Sequence, residues 1–255
     1  MEAVVREAGA GPAGAAGPSA DGSFAGEGPA GLLAAEGLVL SEPLRSGPAV
    51  EYPATTVVGP VEAQAARTPR APALVLADGG VVTYRELNAS ANRLARALAR
   101  RGARPGTVVG LAPVGRPEEQ LTAVLAVAKS GAAWLSLDPA DPPGRRDWLR
   151  AENELVCVLG EGTPGAPGGL DTTGELDTDP PRALTPQHLL SVGYGPGGRP
   201  AAVRLTHAEA DRRIRELQAA HPIGPGDRVL QVRLPHWGFL WPLRTGAAVV
   251  LGGGG

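Results

Sequence analysis

The chain has 255 residues, with 24 Lys and Arg against 26 Asp and Glu and a formal net charge of −2, so no global field draws it to nucleic acid or to an anionic membrane surface. That length has room for one ordinary domain, or one and a half small ones, with a buried core. The single cysteine, Cys157, excludes an internal disulfide; no apolar stretch reaches spanning length; and the opening Met1-Glu2-Ala3 lacks the basic start and apolar run of a signal peptide, so a soluble cytoplasmic protein is expected.

Residues 1–50 are rich in Gly, Ala, Pro and Ser, show no sustained period and are expected to form a flexible tether. The apolar patch 31–40 within them reads as a nascent helix or a patch that docks on a neighbour. From Val61 onward, helical patterns alternate with short aliphatic runs of strand length, which is α/β ordering. Residues 61–67 are predicted helical, ended by Thr68-Pro69. Runs 73–76 and 81–83 flank Asp78-Gly79-Gly80, a hairpin signal. Tyr84-Arg85-Glu86-Leu87 opens a long amphipathic helix with Leu87, Ala91, Leu94, Ala95 and Leu98 on one face, closed near Arg101-Gly102. A buried strand at 108–111 precedes a helix over 117–130 that turns Leu121, Val124, Leu125 and Ala128 inward; Pro117 and Glu118 suit its first turn and Gly131 its end.

The next strand is expected at 133–137, followed by a short helix at 145–152 and a buried strand at 155–159, where Cys157 is a small core residue. Residues 160–184, rich in Gly, Pro, Thr and Asp, are expected to form a loop. Strand 189–194, helix 206–220, strand 228–232 and a last strand 247–251 complete the pattern. Strands separated by helices of this length require crossovers, hence a mainly parallel sheet covered on both faces. The last strand is expected to need further layers for its apolar side chains. Lys129 is the sole lysine, the one candidate for any mechanism that uses a mobile ammonium.

Val82-Thr83-Tyr84-Arg85-Glu86-Leu87, with Asn88 and Asn92-Arg93-Leu94-Ala95 behind it, is similar to the first core motif of adenylation domains in the adenylate-forming superfamily of acyl-CoA synthetases and luciferases. Val127-Ala128-Lys129-Ser130-Gly131-Ala132-Ala133-Trp134-Leu135-Ser136-Leu137-Asp138-Pro139 resembles the second. With Val61-Glu62-Ala63-Gln64-Ala65-Ala66-Arg67-Thr68-Pro69 upstream and Gly224-Pro225-Gly226-Asp227-Arg228-Val229-Leu230-Gln231 downstream, the resemblance covers 61–251 and is to the nonribosomal peptide synthetase type. It implies an α/β fold: a mainly parallel sheet layered with helices, forming over 51–255 a partial N-terminal subdomain of an adenylate-forming enzyme. As residues, the first motif is a helix start with a capping box, and the second a helix stop, a strand and a turn; both identify the fold without doing chemistry.

In the resembling family a strand feeds a loop rich in Gly, Ser and Thr that ends in Pro-Lys-Gly, ahead of a Thr-His pair. Glycines let backbone N–H groups cradle the ATP phosphates, hydroxyls add hydrogen bonds, and the lysine neutralises the departing pyrophosphate. The matching stretch here is Tyr194-Gly195-Pro196-Gly197-Gly198-Arg199-Pro200-Ala201-Ala202-Val203-Arg204-Leu205-Thr206-His207. It is shorter than the family pattern, has no serine or threonine before Gly198, and puts Ala201 where the lysine belongs; Pro196 removes a backbone donor. The resemblance thus implies a degenerate phosphate loop with Gly195, Gly197, Gly198, Arg199 and His207 as cofactor-binding candidates, no catalytic residue and no metal site. Arg199 and Arg204 read as solvated surface arginines, and one histidine gives no metal site. If each lost donor costs on the order of 10²–10³ in rate, several together leave negligible turnover.

The family also carries an aromatic-Asp segment whose aspartate grips the substrate amino group. The corresponding Val232-Arg233-Leu234-Pro235-His236-Trp237-Gly238-Phe239-Leu240-Trp241-Pro242-Leu243 is shorter and has no acidic residue. Trp237, Phe239 and Trp241 are expected in core packing, with a pocket lining or an interaction patch as the other readings. The family's ribose-binding aspartate, Mg2+ carboxylate, hinge and small subdomain with the catalytic lysine fall beyond the matched stretch. Lys129 lies far along the chain from the loop.

The first functional expectation is a noncatalytic adenylation-domain remnant with a structural or docking role in a nonribosomal peptide or hybrid assembly line. Its partners would be carrier or condensation domains, with no nucleic acid or membrane partner and no cofactor for the chain alone; ATP and Mg2+ are implied by the family. The second is part of an ATP-dependent amino-acid:AMP ligase, completed by another chain or by missing residues and using a variant loop. The third is a decayed gene product.

Overall fold

A computed structural model describes residues 2–5, 32–35, 55–113, 116–160, 170–181, 183–195, 201–231 and 237–252, with backbone alone for the first two segments. In chain order the elements are β1 (Glu2–Val5), β2 (Leu32–Ala35), α1 (Val58–Arg67), β3 (Pro72–Val75), β4 (Val81–Thr83), α2 (Tyr84–Arg100), β5 (Val108–Leu111) and α3 (Pro117–Ser130). They continue as β6 (Ala133–Ser136), α4 (Pro143–Glu152), β7 (Val158–Leu159), β8 (Leu189–Tyr194), β9 (Ala202–Thr206), α5 (His207–Ala220), β10 (Arg228–Gln231), α6 (Leu240–Thr245) and β11 (Ala248–Leu251).

The strands form two sheets, each parallel at its centre. The first has the order β2-β1-β10-β11-β3-β4, with β10, β11 and β3 parallel and antiparallel strands outside them. The second runs β7-β5-β6-β8-β9, parallel except for β9. Helix α2 packs on β3 and β4, α3 packs on β5 and β6, and the two helices pack on each other. The helix pair thereby joins both sheets through one continuous core. The α/β layering expected from the alternating pattern is present, split between two sheets.

The predicted face of α2 is buried throughout, with Leu87, Ala91, Leu94, Ala95 and Leu98 all inside. Helix α3 differs from expectation. Besides Leu121, Val124, Leu125 and Ala128, it buries Gln120, Ala123, Ala126, Val127, Lys129 and Ser130, because α2 and the second sheet enclose it from different sides. Its stop is Gly131, at φ +87, where a Cβ would come within 2.9 Å of the Pro105 ring; only glycine satisfies both the left-handed backbone and the close approach.

Four other elements depart from the sequence reading. Within patch 31–40, Leu32–Ala35 is a strand, extended because its backbone pairs with β1. Strand β9 lies in the stretch read as loop, and it forms a hairpin with β8. Helix α6 is not among the expected elements; its Pro242 sits in the first turn, where a missing N–H costs nothing. Finally, β11 is not short of layers: it lies between β10 and β3, and Val249 and Leu251 are buried. Strand β7 is short, but Val156 N donates to Val108 O (3.0 Å) and Gly110 N to Cys157 O (2.9 Å), so the ladder begins where predicted. Cys157 is half-buried against the core, and burial pushes its thiol pKa up.

The first motif ties distant parts of the chain together. Thr83 caps α2, and its backbone N–H donates to Glu86 Oε2 at 2.8 Å while Glu86 N–H donates to the Thr83 hydroxyl at 3.2 Å. Thr206 and Glu209 repeat the same box on α5. Tyr84, fully buried, donates its phenol to the carbonyls of Ala247 (2.8 Å) and Leu243 (3.1 Å), closing the turn from α6 to β11. Burial pushes that phenol well above the ordinary tyrosine range.

Two outcomes follow for stability. Tyr84→Phe leaves buried carbonyls without their donor and is expected to cost about 1–3 kcal/mol in a urea unfolding curve. The carboxyls of Glu86 and Glu209 are held below the usual range, chiefly by the backbone N–H groups of Thr83 and Thr206. Groups depressed in this way stabilise the fold above the ordinary carboxylate pKa and lose that contribution as pH falls through their folded value. A Glu86→Gln, Glu209→Gln double variant keeps the box hydrogen bonds and removes the titration, so its Tm is expected to fall less steeply in acid than that of the parent.

Candidate functional site

The candidate loop hangs between β8 and β9, an antiparallel hairpin in register from Leu189 opposite Thr206 to Tyr194 opposite Ala202. Helix α4 holds its entrance. Arg145 and Trp148, one turn apart on α4, both reach the end of β8: Arg145 Nη2 donates to Gly195 O at 2.8 Å, and Trp148 packs edge-on against Tyr194 with ring centroids 5.2 Å apart. The Tyr194 hydroxyl donates to Asn153 Oδ1 at 3.1 Å just after the helix. Arg145 also pairs with Asp141 at 3.1 Å. The sequence reading missed these three α4 contacts. The i, i+3 spacing of Arg145 and Trp148 put them on one face, but nothing in the sequence said which strand that face would meet.

Of the candidate residues, Gly195 is placed by its carbonyl, whereas Gly197, Gly198 and Arg199 lie outside the described residues. His207, the first residue of α5, is wholly buried; Val57 N–H points at its Nδ1 at 3.4 Å, and its own N–H donates to His188 O at 3.0 Å. The register places Gly195 at the turn end of the hairpin and His207 at its open end beside His188, a strand's length apart, so the two are not brought together. At the head of α5 the Glu209 carboxylate already satisfies Thr206 N–H, so the helix end that could meet an anion carries a negative charge of its own. Arg204 is exposed on β9, as expected.

The aromatic segment is core. Trp237, Phe239 and Trp241 are buried, and Trp241 Nε1 donates to Gln218 Oε1 at 2.6 Å, tying α6 to α5. Asp211 on α5 reinforces that contact by pairing with Arg244 of α6, and is itself held within α5 by Arg215 (2.9 Å). Residues 232–236 lie outside the described set. Lys129 is fully buried and paired with Glu62 at 2.5 Å and Asp179 at 3.0 Å. Among the described residues, no group of three or more His, Cys, Asp or Glu could hold a metal ion, and no helix is long and apolar enough to cross a membrane.

Comparison with known proteins agrees with this architecture. The family model described as AMP-binding enzyme matches residues 61–254. Phosphinothricin tripeptide synthetase PhsB of Streptomyces viridochromogenes is 37% identical over 212 residues, a match covering 75% of this chain and 18% of that protein. Tyrocidine synthase 3 of Brevibacillus parabrevis is 31% identical over 209 residues, covering 75% of this chain and 3% of that one. The crystal structure of the nonribosomal peptide synthetase FmoA3 superposes with a TM-score of 0.69 at 29% identity, over 80% of this chain and 23% of that chain. The chain therefore spans less than a quarter of the length of these proteins. It belongs to the AMP-binding enzyme family, and it carries part of an adenylation domain of the nonribosomal peptide synthetase type.

Proposed function

We propose that this chain is a degenerate, noncatalytic adenylation-domain remnant with a structural or docking role in a nonribosomal peptide or hybrid assembly line. One observation carries the reading. The hairpin that carries the phosphate loop is built, while the groups the family places in the loop are missing: no serine or threonine before Gly198, Ala201 in the lysine position, and the sole lysine sealed in ion pairs elsewhere. The described residues do not fit a triphosphate with Mg2+. Arg145, the cation beside the loop entrance, is turned onto Gly195 O and Asp141. On this reading Gly195, Gly197, Gly198, Arg199 and His207 are a vestige of a cofactor site, and the chain alone needs no cofactor. Relatives of this kind are multidomain synthetases, which makes carrier or condensation domains the partner class. A cytoplasmic setting suits that assembly, and residues 1–50, apart from β1 and β2, would serve as the tether to it.

A second reading has one observation in its favour. FmoA3 retains its fold with AMPPNP bound at a TM-score of 0.69 to this chain and 28% identity, so the scaffold is compatible with ATP use if another chain completes the site. In that case the chain is part of an amino-acid:AMP ligase.

Thermal-shift titration with ATP and Mg2+ separates the two. The expected result for the full chain is an unchanged Tm up to millimolar nucleotide and no amino-acid-dependent pyrophosphate exchange. A Tm that climbs with nucleotide concentration would establish binding and favour the ligase reading.

A further inference from the structure

Lys129 belongs to the second motif yet does nothing at the loop, and a buried ammonium needs compensation worth several kcal/mol. Its side chain lies in the last turn of α3, where Ala126, Val127 and Ala128 are also fully buried. Its two carboxylate partners come from different places: Glu62 from α1, and Asp179 from the segment 170–181 that leads from the second sheet's β7 side towards β8. Asp179 Oδ1 also accepts from Asn88 Nδ2 and Asn92 Nδ2, each at 3.0 Å. Burial raises the Asp179 pKa, but the amides of Asn88 and Asn92 and the charge of Lys129 outweigh it and hold the carboxyl below its usual range.

The rest of the segment is read by one stripe of α2. Asn88, Asn92, Arg96 and Arg100 recur every four residues and so share one face of the helix. Asn92 donates to Asp177 O at 2.6 Å, Arg96 donates to Thr178 O at 3.1 Å and to its hydroxyl at 3.2 Å, and Arg100 pairs with Glu175. The segment thus runs antiparallel to α2, its later residues meeting the earlier ones of the helix. Apolar anchoring is confined to its ends: Leu170 is buried and Leu184 packs on the core, whereas Leu176 is 63% exposed. Asp177 and Asp179 also form one wall of a cleft of about 370 Å³ between α1 and α2, whose other walls include Glu62, Arg85 and Asn88.

We infer that residues 170–181 are a polar strap latched across α1, α2 and α3 by Lys129, with Asp179 as the catch and the Asn88, Asn92, Arg96 and Arg100 stripe as the seat. The strap is held by charge and hydrogen bonds in its middle, so it opens as a unit without unfolding the sheets. Opening removes one wall of the cleft and exposes the chain's one side-chain amine.

That amine makes the latch measurable. Acetylation of the full chain with an N-hydroxysuccinimide ester, mapped by mass spectrometry, is expected to modify the α-amino group and leave Lys129 protected. In Asp179→Ala, Lys129 acetylation and amide hydrogen exchange across 170–181 are both expected to rise roughly tenfold or more, with exchange in the α2 and β6 backbone unchanged. Arg96→Ala touches no buried charge and should raise exchange over 170–181 alone. Acetylation of Lys129 in the parent chain at the rate of a free amine overturns the latch. So does exchange that rises evenly through the whole chain in both variants, which would make Lys129 a general core support.

Discussion

Helix α3 is enclosed on all sides, and this confinement organises the rest of the molecule. A helix with a single apolar face can rest on one sheet and leave its other side to water. Once α2 covers that other side, every residue in the second half of α3 must suit an interior, including Lys129 and Ser130. An ammonium in such a place obliges the chain to bring carboxylates to it. Glu62 and Asp179 answer that demand from segments far apart in sequence, so one charge fixes α1, α3 and the segment before β8 together. The hydroxyl of Tyr84 plays the matching part for the first sheet, fastening α2 to the turn between α6 and β11.

The frame around the candidate loop and the groups within the loop are physically separable. The frame depends on Arg145, Trp148 and Asn153 where β8 runs into the loop and on buried His207 at the far end of the hairpin, none of which requires a bound nucleotide. Stabilising contacts of that kind are made by residues outside 196–200, so they do not depend on which side chains stand in the loop. A scaffold that outlasts its chemistry is the physical basis of the remnant reading proposed above.

Much of the fold was legible because its signals are local. The Thr83 and Glu86 box, the Leu87 to Leu98 face, Asp78-Gly79-Gly80 and Gly131 each act within a few residues, and each appears where the pattern placed it. What the sequence hid was relational. The periodicity of 117–130 marks one apolar face, but only the docking of α2 reveals that the opposite face is interior too. Strand β9 carries exposed Val203 and Arg204 beside buried Leu205, too weak an alternation to be read without its partner β8. The polar stripe on α2 has the composition of a solvated face; its match to 170–181 depends on a segment whose composition reads as loop. At the candidate site, Gly195 and His207 are candidates by resemblance alone, while the α4 residues that meet the end of β8 carry no motif.

The position of β11 has a consequence for synthesis on the ribosome. The second sheet draws on strands β5 to β9 and can assemble before β10 and β11 are made. The first sheet cannot, because its central strand is made long after β3 and β4, the strands it must join. Until then the β3 edge that β11 will cover stays open, and pairing of such sequence-distant segments is intrinsically slow. The β3–β4 hairpin therefore emerges with one strand edge unpaired, open to wrong pairing until β11 covers it.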